Sequence, residues 1–164
     1  AILLLKNYQA GLFVYFCVFF TTFDILGMMW AWNAIAGGYI VQINGVSVVN
    51  LITAVGLSVE FSVHIMLKFA GTKGSRLERA KIAVSEMGSS VLVGITTTKF
   101  LGVSVLAFAP SPIFTLYYFR MYMAIIVLGS FHGLVILPLV LSLIGPKHAN
   151  EKKNLSLTSF TKEE

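Results

Sequence analysis

"VNLITAVGLSVEFSVHIML", residues 49–67, has the apolar character of a membrane-crossing helix, yet it carries Glu60 and His64 in its interior. A span needs roughly 20 predominantly apolar residues. A charged side chain at the bilayer centre costs about 2.5–3.5 kcal/mol on insertion scales, and such groups usually face a bundle interior or a cavity. The stretch is therefore a span whose acid must be explained by what it faces. Glu60 and His64 are four residues apart and share a helix face, with Gly56 one turn further along it. A glycine there invites close approach of a second helix.

The rest of the chain agrees with a lipid environment. It is 57% hydrophobic and 12% charged, whereas soluble domains carry about 25% charged residues. Cys17 is the single cysteine, so no disulfide framework exists within the chain, and it reads as a small buried hydrophobe. No Cys/His set has zinc spacing. The net charge of +5 comes from basic residues beside the spans, which is a topology signal rather than a nucleic-acid one. With no nucleophile–base pair, phosphate loop or ligand set, no enzyme activity, cofactor or metal is expected.

Four spans are predicted, at 10–32, 46–68, 89–109 and 114–144. The first is Phe-rich and closes on "MMWAW" (28–32), an interfacial aromatic belt. A polar connection, "NAIAGGYIVQING" (33–45), comes after it. Between the second and third spans, Ser75 and Glu78 form a capping box. They open a short amphipathic helix expected to lie on the membrane surface; a solvated linker helix is the alternative. Pro110 and Pro112 end the third span, Pro138 should kink the fourth, and Gly145-Pro146 should stop it.

Lys6, then Lys68, Lys73, Arg76, Arg79 and Lys81, then Lys147, Lys152, Lys153 and Lys162 all fall on one side of a four-span topology. That side is expected to be cytosolic. It includes the flank 1–9, the loop 69–88 and the tail 147–164, which is polar and expected to be disordered. The sequon Asn154-Leu155-Ser156 lies on the wrong side for glycosylation. The chain opens at Ala1 close to a hydrophobic span, and the expectation is a fragment of a longer protein.

Depth relates the buried ionisable groups. At 1.5 Å per residue, Glu60 lies roughly 12 Å and His64 roughly 6 Å from the cytosolic end of their helix. Lys99 lies roughly 15 Å from the same side. Glu60 and Lys99 are thus at one level on consecutive antiparallel helices, where they can pair. The alternatives are a purely structural ion pair or a permanently protonated acid for Glu60, a packing role for His64, and snorkelling for Lys99. Asp24, which can bond locally beside Thr21 and Thr22, and His132, which can be a packing histidine, are secondary polar candidates. Thr96, Thr97 and Thr98 can return hydrogen bonds to the preceding turn.

"GLSVEFSVH" (56–64), "KGSRLERA" (73–80), "MGSSVLVGITTTKF" (87–100), "VLAFAPSPIF" (105–114), "YYFRMY" (117–122) and "HGLVILPLVLSLIGP" (132–146) together resemble the C-terminal membrane region of the Niemann–Pick type C sterol transporters. These belong to the resistance-nodulation-division (RND) permease superfamily, with Patched as a relative. The resemblance covers about residues 10–146. It implies an all-α membrane protein: four transmembrane helices and a juxtamembrane helix, part of an RND-type bundle. It implies that Gly56 and Glu60 match the GxxxD/E motif for ion or proton coupling, with His64 and Lys99 as the matching histidine and lysine. It implies sterol as cargo, the rest of the transporter as partner, and late endosomes or lysosomes as location. A Patched-like permease and a small four-span assembly protein are the competing readings.

Overall fold

The computed structural model describes residues 8–35 and 41–146. The flank 1–7, residues 36–40 of the first connection, and the tail, with Lys6, the four tail lysines and the sequon, lie outside the described residues.

Four helices are long and apolar enough to cross a membrane. They are α1 (Tyr8–Ile35), α2 (Gly45–Gly71), α3 (Arg76–Phe108) and α4 (Ile113–Ile144). Each matches one of the predicted spans; α1, α2 and α4 contain theirs and run past it, while α3 starts earlier than predicted and ends at Phe108, one residue short of the predicted 109.

Local signals set the helix ends. Asn44 caps α2: its Oδ1 accepts from the Ser47 amide at 3.0 Å, and its own amide donates to Ser47 Oγ at 2.8 Å. The Ser75–Glu78 capping box is present at the start of α3, and the Ser75 amide donates to Glu78 Oε2 at 2.9 Å. Gly74, at φ +121°, makes the turn into that cap, a conformation that glycine adopts at little cost.

The amphipathic segment differs from its expected form. It is the first part of α3, and the helix runs on through Ser89 and Ser90 into the span. Ser90 keeps helical backbone angles and makes no side-chain cap bond, so the helix is not interrupted there. Its buried face, Ala80 and Ala83, packs with Phe69 and Leu141. Arg79 is not solvated as a juxtamembrane arginine would be; it is 2% exposed. Its guanidinium donates to the Phe69 carbonyl and the Pro146 carbonyl and stacks 4.0 Å from the Phe69 ring centre. One side chain thus ties the ends of α2 and α4 to the start of α3.

Pro138 is accommodated by a widened turn. The helix is π-helical from His132 to Ile136, ending two residues before the proline. A π turn takes up the register change where proline has no N–H to give. The Gly145 amide then bonds the Leu141 carbonyl and ends α4.

Two apolar clusters fill the bundle. One, at the basic end, joins Ala10, Val14, Cys17 and Val18 of α1 to Ile65, Met66 and Phe69 of α2, with Leu137 and Leu141 of α4. The other, at the opposite end, joins Ile25 and Met29 to Ala54, Met121 and Ile125. Between them, at mid-depth, lies a layer that contains Asp24, Glu60, Lys99 and His132.

Candidate intramembrane ion-pair site

The mid-depth layer is built from one short stretch of each helix. Helix α2 contributes Ser58, Glu60, Phe61 and Ser62, and α3 contributes Lys99. From α1 come Thr21 and Asp24, and from α4 Gly129, His132 and Gly133.

Lys99 Nζ donates to Glu60 Oε2, closing an ion pair between α2 and α3. Their side chains are 25% and 41% exposed, so the pair lies at the edge of the four-helix unit, not at its centre. The register of Lys99 is set by the segment before it. Residues Val91–Thr97 are π-helical, and Thr96 and Thr97 bond carbonyls five residues back, while Thr98 bonds the Gly94 carbonyl at 2.7 Å. The threonine run therefore returns its hydroxyls to the backbone, as expected. A π turn adds a residue to the helical period and re-aims the side chains beyond it, and such turns recur at functional sites. The Lys99 ammonium also sits 5.3 Å from the Phe61 ring centre.

His64 is not joined to this pair. It is exposed, and among the described residues neither a hydrogen bond nor an ion pair links it to Glu60. Gly56 corrects an expectation. A Cβ there would meet nothing within 4 Å, so Gly56 is not a close-packing point among the described residues. The α2 face carrying Gly56, Glu60 and His64 looks outward from the bundle.

Close packing falls elsewhere. A Cβ at Gly129 would lie 3.0 Å from the Phe61 ring, and one at Gly133 would lie 2.9 Å from Phe61 Cβ and 3.0 Å from its carbonyl carbon. Gly129 and Gly133 form a G-x-x-x-G pair, the pattern that lets two membrane helices approach. That signal stands in the sequence on either side of His132, and it could have found the packing point that Gly56 does not provide.

The secondary candidates Asp24 and His132 come together. His132 Nε2 lies 3.2 Å from Asp24 Oδ2, and His132 Nδ1 lies 2.9 Å from the Leu128 carbonyl. His132 is 8% exposed, while the Asp24 side chain is 47% exposed. The imidazole also borders a cavity of about 280 Å³ walled by Phe13, Phe16, Cys17, Phe20, Ile136 and Leu137. Cys17 is buried, and Ser62 Oγ lies 3.3 Å from its sulfur. Among the described residues, no three His, Cys, Asp or Glu side chains gather as a metal site requires.

Apolar spans around a layer of paired ionisable side chains define a multi-pass integral membrane protein with an ion pair, Glu60–Lys99, between two of its spans. No protein-family model matches the chain. Its relatives are specific nonetheless. It is 51% identical over 134 residues to NPC intracellular cholesterol transporter 1 of Sus scrofa, covering 81% of this chain and 10% of that protein. It is 47% identical over 133 residues to NPC intracellular cholesterol transporter 1 homolog 1b of Drosophila melanogaster, again 81% of this chain and 10% of the relative. Against Protein patched homolog 1 of Danio rerio the identity is 36% over 148 residues, 89% of this chain and 11% of the relative. The chain belongs to the family of NPC-type sterol transporters and Patched proteins. It spans about a tenth of the length of the curated relatives it matches.

Proposed function

We propose that this chain is the part of a sterol transporter that carries the coupling site between proton or ion movement and helix movement, with Glu60 and Lys99 as its working pair. The observation that carries this reading is the ion pair itself. It is a direct link at mid-depth between α2 and the membrane part of α3, a helix stretch that packs little against the others.

In a medium of low dielectric constant the attraction between carboxylate and ammonium is strong. A proton on Glu60 removes the negative charge and leaves Lys99 without its counter-ion, so α3 loses its tie to α2. Release of the proton restores the tie. Protonation thereby sets the position of one helix against another, which is what coupling requires. His64, one turn nearer the basic end of α2 on the same outward face, is the group through which Glu60 exchanges protons with the cytosolic side. Gly56 on that face leaves room for a helix from the remainder of the transporter.

Sterol is the proposed cargo, late endosomal and lysosomal membranes the proposed location, and export from those compartments the proposed direction. The higher identity to NPC-type relatives than to Patched, 51% and 47% against 36%, favours the transporter over the Patched-like reading.

The test is sterol export by full-length protein carrying Glu60→Gln, at matched abundance and correct localisation. The amide mimics the protonated acid and cannot cycle, so export should be lost while the protein stays folded. Normal export by a well-folded Glu60→Gln variant would overturn the coupling role.

A further inference from the structure

We propose that Asp24 and His132 form a second proton-binding site, one whose proton holds α1 to α4. This inference goes beyond the transport reading and does not depend on Glu60, because it stands on the α1–α4 contact alone.

The hydrogen-bond geometry carries it. A backbone carbonyl only accepts, so the 2.9 Å contact of His132 Nδ1 with the Leu128 carbonyl requires a proton on Nδ1. The other ring nitrogen, Nε2, faces Asp24 Oδ2 at 3.2 Å. In a neutral ring with Nδ1 protonated, Nε2 is a lone pair. Facing a carboxylate oxygen, it would put two acceptors against each other. The contact is attractive only with one further proton between them. That proton sits either on Nε2, giving imidazolium and carboxylate, or on Asp24, giving a carboxylic acid that donates to the neutral ring. Both descriptions contain the same dissociable proton, which comes from water and returns to it.

Among the described residues, the surroundings offer no other group to supply that charge balance. From α1 the titratable groups near the ring are Asp24 and Cys17, which share its cavity wall or its contact. From α2 the residue against the neighbouring Gly133 is Phe61, while Glu60 is engaged with Lys99 of α3. His64 of α2 makes no hydrogen bond or ion pair among the described residues. Within α4 itself the only other charged residue is Arg120, twelve positions away, which at 1.5 Å per residue is roughly 18 Å along the axis. The pair therefore settles its own protonation, and imidazole is the side chain whose ordinary titration falls between about pH 5 and 8.

Loss of the proton turns the contact repulsive and frees α1 from α4 at mid-depth. The next contacts between these helices are the apolar clusters above and below, which do not respond to pH.

The test uses full-length protein in lipid nanodiscs with isotope-labelled histidine and pH-difference infrared spectroscopy. The ring band of His132 is assigned as the one missing in His132→Gln. In the wild type this band should titrate between acidic and neutral pH. In Asp24→Asn the counter-charge is gone and the amide can donate to a neutral Nε2, so the wild-type titration should be lost from that pH range. Asp24→Glu keeps a carboxyl and should retain it. A His132 band that does not titrate in the wild type overturns the proposal. So does a band that titrates unchanged in Asp24→Asn, and so does loss of the band in Asp24→Glu as well as Asp24→Asn in folded protein, which marks a packing role.

Discussion

Gly133 of α4 lies directly on the backbone of Phe61 of α2: a Cβ at Gly133 would sit 3.0 Å from the Phe61 carbonyl carbon and 3.1 Å from its oxygen. The same phenylalanine presents its ring to Gly129 and to the Lys99 ammonium. Phe61 is therefore the contact through which α2, α3 and α4 meet at mid-depth. Where apolar lipid competes equally for apolar side chains, such close backbone approach is a main source of helix association.

Alanine at these two glycines should behave differently. Gly133→Ala meets backbone, which cannot move aside, and should cost about 1–3 kcal/mol. Gly129→Ala presses tightly on the ring of Phe61, with Ser58 Oγ at an ordinary 3.7 Å, so Phe61→Leu should rescue it and should not rescue Gly133→Ala. Thermal unfolding of purified full-length variants checks both. Gly56→Ala should be tolerated by these four helices, since its Cβ meets nothing within 4 Å.

The Glu60–Lys99 pair should show coupling in a double-mutant cycle. Glu60→Gln and Lys99→Met each leave one charge without its partner, whereas the double variant removes both. Residues in direct contact couple by about 0.5–3 kcal/mol, and the partial exposure of this pair places the expectation near the lower end. Strictly additive losses of folded, detergent-stable protein would count against an energetic link.

Arg79→Lys should destabilise the basic end of the bundle although it keeps the charge. A planar guanidinium reaches the Phe69 and Pro146 carbonyls together; a lysine ammonium cannot reproduce that fork or the stacking on Phe69. Charge-assisted hydrogen bonds contribute about 1.5–3 kcal/mol each, so the loss should be at least of that order. Faster hydrogen exchange confined to the ends of α2 and α4 and the start of α3 is the expected signature. Unchanged exchange there would show that Arg79 is not the tie.

The cap at the start of α3 should respond to acid. Hydrogen bonds from the Ser75 amide and hydroxyl, with a smaller contribution from Lys81, lower the Glu78 pKa from its ordinary value. A lowered folded-state pKa gives stability that is present above the unfolded pKa and lost as pH falls through the folded one. The protection factors of the Ser75 and Glu78 amides should therefore fall only below the ordinary glutamate range. Ser75→Ala should weaken the cap at all pH values by about 1 kcal/mol. Acid-insensitive protection in the wild type would remove Glu78 from the cap.

Labelling tests the orientation assigned from the basic residues. Lys73 is exposed in the turn before α3, and a cysteine there, in a Cys17→Ser background, should react with an impermeant reagent only from the cytosolic side. Gly74 is the wrong place for the probe, because its positive φ and the nearby Glu78 carboxylate disfavour any side chain. Reaction from the lumenal side would invert the topology.

Much of this architecture is a local property of the chain. Apolar runs of sufficient length become spans wherever water is replaced by lipid, and Ser75–Glu78 caps a helix whatever lies around it. The Glu60–Lys99 pairing was legible for a related reason. Consecutive spans joined by a short segment are antiparallel neighbours, and a fixed rise per residue places their residues at comparable depth.

The rotation of each helix about its axis is a different matter. A span apolar on nearly all sides has no polar face to show which way it turns, so "GLSVEFSVH" could not reveal that Gly56 and His64 look outward while Phe61 looks in. Nor could it show that Asp24 of the first span meets His132 of the last, since these helices are not sequence neighbours. Those relationships depend on how Phe61 seats on Gly129 and Gly133, how Arg79 gathers three helix ends, and how the π-helical turns before Lys99 and Pro138 re-aim the residues after them. They are set by side-chain volume and backbone approach between distant segments, and only the folded bundle brings those together.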